Sequence, residues 1–138
     1  MSRLEELIEA SRAEHQTRTR HRDVEHQIQS ACVRWFRLQY PHLAKRLFAV
    51  PNGGWREKAT AGRMKAEGVL PGVADLILLK PNTRWGALLI EMKTATGRQG
   101  ISQKEWQADL CRSDEYKYVL CRSVEDFRRE VSSYLREC

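Results

Sequence analysis

The sequence predicts an α/β domain in which helices flank a mixed central sheet, and three observations indicate this fold class. Apolar runs of strand length alternate along the chain with segments whose apolar residues recur every three or four positions. Two of the runs, 73–79 and 86–93, are separated by a turn at Pro81–Asn82, which predicts an antiparallel hairpin. A helical segment then precedes another run at 116–121, and a connection of about a dozen residues or more allows that strand to join the sheet in parallel.

The first part of the chain predicts two helices. Apolar residues recur at helical spacing from Asp23 to Gln39, with Asp23 as the N-cap. Residues 1–20 predict a more polar helix with a thin apolar face. We expect this segment to be an arm that frays or packs on a partner subunit, while residues 21–138 form the domain.

The middle of the chain supplies a strand and a short helix. The strand is expected at 46–50, and Pro51-Asn52-Gly53-Gly54 after it is a strong turn signal. The helix is expected at 57–67 and ends at Gly68. A second turn at Leu70-Pro71-Gly72 then leads into the strand at 73–79.

Two further helices are marked by polar residues at their starts. Residues 94–100 predict a flexible loop, and Ser102 with Glu105 fits a capping box. We expect Trp106 of that helix to lie in the core, with base stacking as the alternative. Ser123 is expected to cap the final helix.

The composition is that of a soluble globular domain and favours a polyanionic partner, although many basic proteins bind no nucleic acid. The chain has 138 residues, of which 41% are hydrophobic and 30% charged, enough for one domain with a sizeable core. Lys and Arg number 24 against 18 Asp and Glu, giving a net charge of +6, and the pI is about 9.4. The excess is concentrated in two clusters, Arg18, Arg20 and Arg22, and then Arg56, Lys58, Arg63 and Lys65.

The cysteine pattern and the N-terminus favour a reducing, cytoplasmic location. Cys32, Cys111, Cys121 and Cys138 form no C-x-x-C pair or zinc-ligand spacing, and the first three lie among apolar residues, so we expect buried free thiols. The N-terminus lacks the apolar core of a signal peptide. No apolar run reaches the roughly 18 residues of a membrane span.

The predicted hairpin brings two carboxylates together. If it folds about Thr83, Asp75 faces Glu91 with Cβ atoms about 5 Å apart. Carboxylates this close on apolar strands repel each other and lose hydration, and a divalent cation between them relieves both costs. The strand period places Lys93 on the same face as Glu91, which makes a phosphodiester-cleaving arrangement. The alternative is ordinary, because acidic residues at strand ends are often solvated and an E-x-K triplet is common by chance.

A set of motifs resembles a known family. The set comprises Glu25, Gly72-Val73-Ala74-Asp75, Ile90-Glu91-Met92-Lys93, and Gln103 with Trp106. It resembles the VRR-NUC (virus-type replication-repair nuclease) family of the PD-(D/E)xK nuclease superfamily, from about Glu25 to Leu135. Ala74 stands where that family commonly has proline, and Ser102 directly precedes Gln103 instead of lying one helical turn before it. The resemblance implies a restriction-endonuclease-like core.

The resemblance also implies roles for individual residues around a Mg²⁺ or Mn²⁺ ion. Asp75 and Glu91 would bind the cation, whose preferred ligands are carboxylate oxygens, and the Met92 carbonyl would add a ligand. Lys93 would orient the attacking water and stabilise charge in the transition state. The alternative for Lys93 is a lysine at the rim of the site, in solvent.

Two further residues complete the implied site. Glu25 would join the acidic cluster directly or through a bound water, and its alternative is a solvated charge on the flank of a helix. Gln103 would sit near the metal, and its alternative is a first-turn helix residue in water.

The expected function is a metal-dependent DNA endonuclease. Small members of the family resemble structure-specific nucleases that act as homodimers on branched DNA such as four-way (Holliday) junctions. The basic residues Arg56, Lys58, Arg63 and Lys65 are the expected DNA contacts. The alternatives are a nicking nuclease without structure preference and a catalytically silent DNA-binding or scaffolding module.

Overall fold

A four-stranded mixed sheet with helices on its faces forms the fold, as predicted. The structure, a computed structural model, describes residues 2–51 and 58–138. In order, the elements are α1 (Arg3–Gln39), a 3₁₀ turn (Pro41–Arg46), β1 (Leu47–Ala49), α2 (Lys58–Ala66), β2 (Leu76–Leu78), β3 (Leu88–Met92), α3 (Ile101–Leu110), β4 (Lys117–Cys121) and α4 (Val124–Arg136). Most of the turn predicted at 51–54, and Arg56, lie outside the described residues.

The pairing of the strands follows the order β1-β2-β3-β4. The first two pairs are antiparallel, and β4 joins β3 in parallel through α3, as its long connection predicts. In the hairpin, Leu76 pairs with Ile90 and Leu78 with Leu88. Continuing this register by one residue places Asp75 opposite Glu91, so the predicted hairpin register is confirmed.

The predicted division of the N-terminal region into two helices is wrong, because α1 is one helix of 37 residues. Its N-cap is Ser2, whose hydroxyl accepts a hydrogen bond from the Glu5 N–H at 3.2 Å, and the Glu5 carboxylate accepts from the Ser2 N–H at 2.8 Å. Asp23 lies inside the helix and caps nothing. At about 1.5 Å per residue, α1 is about 55 Å long.

The two faces of the sheet bury different residues. One face packs on α1 and α4 through a large apolar cluster that includes Cys32, Phe36, Leu76, Leu78, Leu88, Ile90, Met92, Phe127, Val131 and Tyr134. The other face packs on α3 through Ala74, Ala87 and Leu89, with Trp106 and Tyr118 partly buried against them. Trp106 therefore belongs to the core, as predicted. Since side chains alternate along a strand, Glu91 shares the α3 face with Leu89.

The start of α3 differs from the prediction. The helix begins at Ile101 with Gly100 as the N-cap, so the capping box assigned to Ser102 and Glu105 is wrong. The Gln103 side chain performs the capping instead, because its Oε1 accepts a hydrogen bond from the Gly100 N–H at 2.7 Å. Ser123 caps α4 as predicted, with its hydroxyl accepting from the Asp126 N–H at 3.1 Å.

The cysteines are free thiols with differing exposure. Cys32 and Cys121 are buried as predicted, and burial raises the pKa of each to about 12. Cys111 is only half-buried, against expectation, because it lies at the residue where α3 ends. In the described part of the chain, no helix is both long and apolar enough to cross a membrane.

Candidate active site

The Asp75 and Glu91 carboxyl groups, called here the carboxylate pair, belong to residues that lie opposite each other across the hairpin, close enough for their charges to interact. Asp75 immediately precedes β2, and its Oδ2 accepts a hydrogen bond from the Met92 N–H at 2.7 Å. Glu91 lies in β3 and is only 1% exposed, and its neighbours in the strand are buried apolar residues. A buried acid beside a second acid is costly without a proton or a cation between them.

Glu91 is held by donors on both of its oxygens. The Gln103 Nε2 donates to Oε1 at 2.7 Å, and the Tyr118 hydroxyl donates to Oε2 at 3.1 Å. Because the Gln103 Oε1 is engaged by the Gly100 N–H, its amide is fixed with the NH₂ group directed at Glu91. The N-terminus of α3 therefore orients Gln103, which in turn holds Glu91 of the sheet.

The protonation of Glu91 follows from this environment. Burial, then the negative charge of Asp75 and the hydrogen bond to it, raise the pKa of Glu91 to about 8. Tyr118 and Lys93 act in the opposite direction but more weakly. Near neutral pH and without a cation, the carboxylate pair therefore keeps a proton, which a bound cation would displace.

Glu25 reaches the same place from α1. Burial raises its pKa, the positive charge of Lys93 lowers it, and the negative charge of Asp75 raises it again. The backbone of Thr94 and the charge of His21 lower the pKa of Glu25 more weakly. Glu25, Asp75, Glu91 and Lys93 are thus close enough for their charges to act on one another, although they come from α1 and from either side of the hairpin.

The donor set fits a hard divalent cation, because carboxylate oxygens are the ligands that Mg²⁺ and Mn²⁺ prefer. Within residues 2–51 and 58–138, however, no group of three or more His, Cys, Asp or Glu side chains is arranged to hold a metal ion. Among the described residues, Glu25 therefore lies near the carboxylate pair without completing a three-carboxylate cation site. The Met92 side chain is buried in the core, and its N–H is the group that contacts Asp75.

The loop after Lys93 is firmly held, whereas the sequence predicted a flexible segment. The Arg122 Nη1 donates to the carbonyl oxygens of Thr94 at 2.8 Å and of Gly97 at 2.6 Å. The Thr94 hydroxyl accepts from the Gly97 N–H at 3.0 Å and lies 3.0 Å from Nδ1 of His21. These contacts fix the backbone that directly follows Lys93.

The predicted DNA-binding residues are only partly described. Arg63 and Lys65 are exposed on α2, where basic side chains can reach solvent and a ligand. Lys58 is the first residue of α2, and Arg56 lies outside the described residues.

The sequence reasoning missed Tyr118, Thr94 and Arg122. Strand alternation could have indicated Tyr118, because parallel pairing of β4 with β3 sets Tyr118 beside Leu89 and Leu120 beside Glu91, all on the α3 face. Thr94 and Arg122 carry no comparable local signal, since their hydrogen bonds connect residues 28 positions apart.

A mixed sheet lies between helices, buried Glu91 of β3 faces half-buried Asp75 immediately before β2, and Lys93 follows Glu91 by two residues. This combination defines a nuclease-type α/β domain. The chain belongs to the VRR-NUC domain family, whose sequence profile matches residues 23–125. A solved structure described as a VRR_NUC domain protein is similar to it, with a TM-score of 0.69 over 83% of this chain and 89% of that chain. At 20% sequence identity, that likeness shows the shared fold. No curated protein matches the sequence.

Proposed function

We propose that this protein is a Mg²⁺- or Mn²⁺-dependent endonuclease that hydrolyses phosphodiester bonds in branched DNA such as four-way junctions. The observation that carries the proposal is the position of Asp75 opposite buried Glu91, where their charges interact. Its chemistry suits an enzyme better than a silent binding module, because a buried acid that faces a second acid lowers stability when it ionises and gains from a cation.

The carboxylate pair would hold the cation, with Gln103 and Tyr118 keeping Glu91 in position. Water would supply further ligands, and Glu25 would act through one of these waters. The Met92 carbonyl remains a predicted ligand. When bound, the ion supplies a positive charge that polarises the scissile phosphate and lowers the pKa of the attacking water.

Lys93 would orient that water and place positive charge beside the oxygens of the phosphorane-like transition state. Its backbone is fixed on both sides, by a hydrogen bond from its N–H to the Cys121 carbonyl at 2.9 Å and by the contacts of Arg122 in the following loop. In the reaction, the water oxygen bonds to phosphorus and the phosphorus–oxygen bond to the leaving nucleotide breaks. The attacking water gives up a proton to solvent, and the oxygen of the leaving nucleotide takes up a proton from solvent.

A homodimer would match the two-fold symmetry of a four-way junction. One chain carries one carboxylate pair, so paired cuts on opposed strands need two chains. Leu4, Leu7 and Ile8 on the first turns of α1 are exposed, at 67%, 60% and 43%. This supports our expectation that residues 1–20 form an arm that a second subunit covers.

The test is cleavage of a four-way junction and of a linear duplex of matched sequence, with Mg²⁺, Mn²⁺ or EDTA. The Asp75→Asn variant is the control, because it keeps the shape of the side chain and removes the charge. Divalent-dependent cutting of the junction that Asp75→Asn abolishes is the expected result. Equal cutting of both DNAs would favour a nuclease without structure preference, and binding without cutting would favour the silent module.

A further inference from the structure

An open groove of about 680 Å³ runs beside the candidate active site, between the middle of α1 and the loop after β3. Arg18 and Arg22 line it from α1, Gly97 and Arg98 line it from the loop, and Glu25 and Lys93 lie within it. We call it the α1 groove. Because Glu25 and Lys93 belong to the candidate site, the groove is continuous with that site.

The charges of the α1 groove suit a polyanion. In the described part of the chain, Arg22, Arg98 and Lys93 form no ion pair with a carboxylate. Arg18 pairs with Glu14 at 2.6 Å, but both side chains are about two-thirds exposed, at 71% and 64%. An exposed pair of this kind is weak, so Arg18 can exchange its partner for a phosphate.

The spacing along α1 matches a nucleic-acid backbone. With a rise of about 1.5 Å per residue, Arg22 lies about 4.5 Å and Arg18 about 10.5 Å from Glu25 along the helix axis. One strand of a duplex advances about 3.4 Å per phosphate, so this length covers about three nucleotides. The three residues also share one face of the helix, because they are separated by three and four positions.

Both walls of the α1 groove are fixed before any ligand arrives. The Nδ1 atom of His21 lies 3.0 Å from the Thr94 hydroxyl, which connects α1 to the loop. Arg122 holds the loop from the other side through the Thr94 and Gly97 carbonyls. A preformed site loses less conformational entropy on binding than a flexible one.

We propose that the α1 groove binds the sugar–phosphate backbone of the DNA strand that is cut, on one side of the scissile phosphate, through Arg18, Arg22 and Arg98. The inference rests on the proposed function, since that function places the scissile phosphate beside Lys93. It adds a contact surface distinct from the basic residues of α2. It also gives Arg18 and Arg22 of α1 a role that sequence patterning did not assign.

The test compares two double variants that lose the same charge. Arg22→Gln with Arg98→Gln removes two cations from the groove, and Arg20→Gln with Arg34→Gln removes two from the opposite side of α1. Glutamine is chosen because it maintains the helix almost as well as arginine. Binding to a fluorescent four-way junction is followed by anisotropy across a salt series in EDTA, so that no cleavage interferes, and circular dichroism confirms the fold of each variant.

The log–log slope of affinity against salt should become shallower by about 2 in the groove variant, because each lost phosphate contact removes about 0.9. The control variant should keep the parent slope. Equal slopes in all three proteins, or a larger change in the control, would overturn the groove assignment. If the parent cuts junctions while the groove variant keeps its slope, the groove is wrong and the nuclease stands. If the slope changes as expected and no DNA is ever cut, the groove stands and the nuclease function is wrong.

Discussion

Replacing Glu91 with glutamine should stabilise the metal-free protein and remove much of the pH dependence of its stability. The pKa of Glu91 is raised from its ordinary 4.5 to about 8 in the folded chain. Between these values the folded protein retains a proton that the unfolded chain has released. The stability given by the neutral carboxyl is therefore complete below about pH 4.5 and is lost as the pH rises toward 8. One proton is worth at most about 1.4 kcal/mol per pH unit, so the loss over the window is on the order of a few kcal/mol.

Glutamine suits the site because it is neutral at every pH and keeps the shape of the side chain. Its carbonyl can accept from Gln103, and its amide can donate to Asp75. Thermal and urea unfolding in EDTA, from about pH 5 to about pH 8, should show stability falling in the parent and nearly level in Glu91→Gln. The exposed Glu115→Gln is the matched control and should follow the parent. If the stability of the parent and of Glu91→Gln changes with pH in the same way, the burial of Glu91 and its interaction with Asp75 are refuted. The Glu91→Gln variant should also lack cleavage activity with Mg²⁺.

Three other outcomes are expected. The Gly72→Ala variant should lose stability and most activity. Gly72 has a φ of 86°, and an added Cβ would lie 2.9 Å from the Gln103 nitrogen and closer still to the Ser102 carbonyl. Normal activity and an unchanged melting temperature would contradict this prediction. The double variant Arg63→Gln with Lys65→Gln should make the salt dependence of DNA binding shallower without changing which DNA structure is preferred, because phosphate contacts position the protein on DNA without reading its sequence or structure. Anisotropy with junction and duplex DNA measures the slope, and an unchanged slope would show that α2 faces away from DNA. Light scattering should show a homodimer. Mixing active protein with excess Glu91→Gln protein under subunit exchange should yield nicked junctions without paired cuts. A monomer that makes paired cuts at dilute concentration would refute the dimer.

The register of the carboxylate pair was predictable because it depends on local information. The turn at Pro81–Asn82 and the two apolar flanks determine which residues face each other, and the pairing of Leu76 with Ile90 agrees with a hairpin folded about Thr83. Lys93 follows from the strand period. Such features need no knowledge of the rest of the fold.

The continuity of α1 was not predictable from the same kind of pattern. The stretch 17–22 has threonines of modest helix propensity and no apolar stripe, so the sequence pattern predicts a helix start where the core-facing stripe begins. In the structure, the hydroxyls of Thr17 and Thr19 donate to the carbonyls four residues earlier, at 3.0 Å each, which is compatible with a helix interior. The contact of His21 with Thr94 then connects the stretch to a loop that is distant in sequence.

The site residues that were missed share this long-range character. Arg122 acts on the loop after Lys93 through its guanidinium, and its own N–H donates to Asp126 at 2.9 Å. An arginine after a strand has no pattern that indicates such a partner. Gln103 was identified through the family resemblance, but its fixed amide depends on Gly100 starting α3, which the sequence placed elsewhere.

Because α1 is one continuous helix, it holds its two ends at a fixed distance from each other. A helix has a nearly constant length, so the exposed apolar side chains at Leu4 and Leu7 are held about 27–32 Å from Glu25 along the axis. A partner that docks at that end is set at a defined distance from the carboxylate pair, whatever its own shape. With a second copy as the partner, that length would help determine how far apart two incisions fall. Inserting or deleting one full turn of α1 would then change the spacing between the two incisions while keeping the docking residues on the same face of the helix.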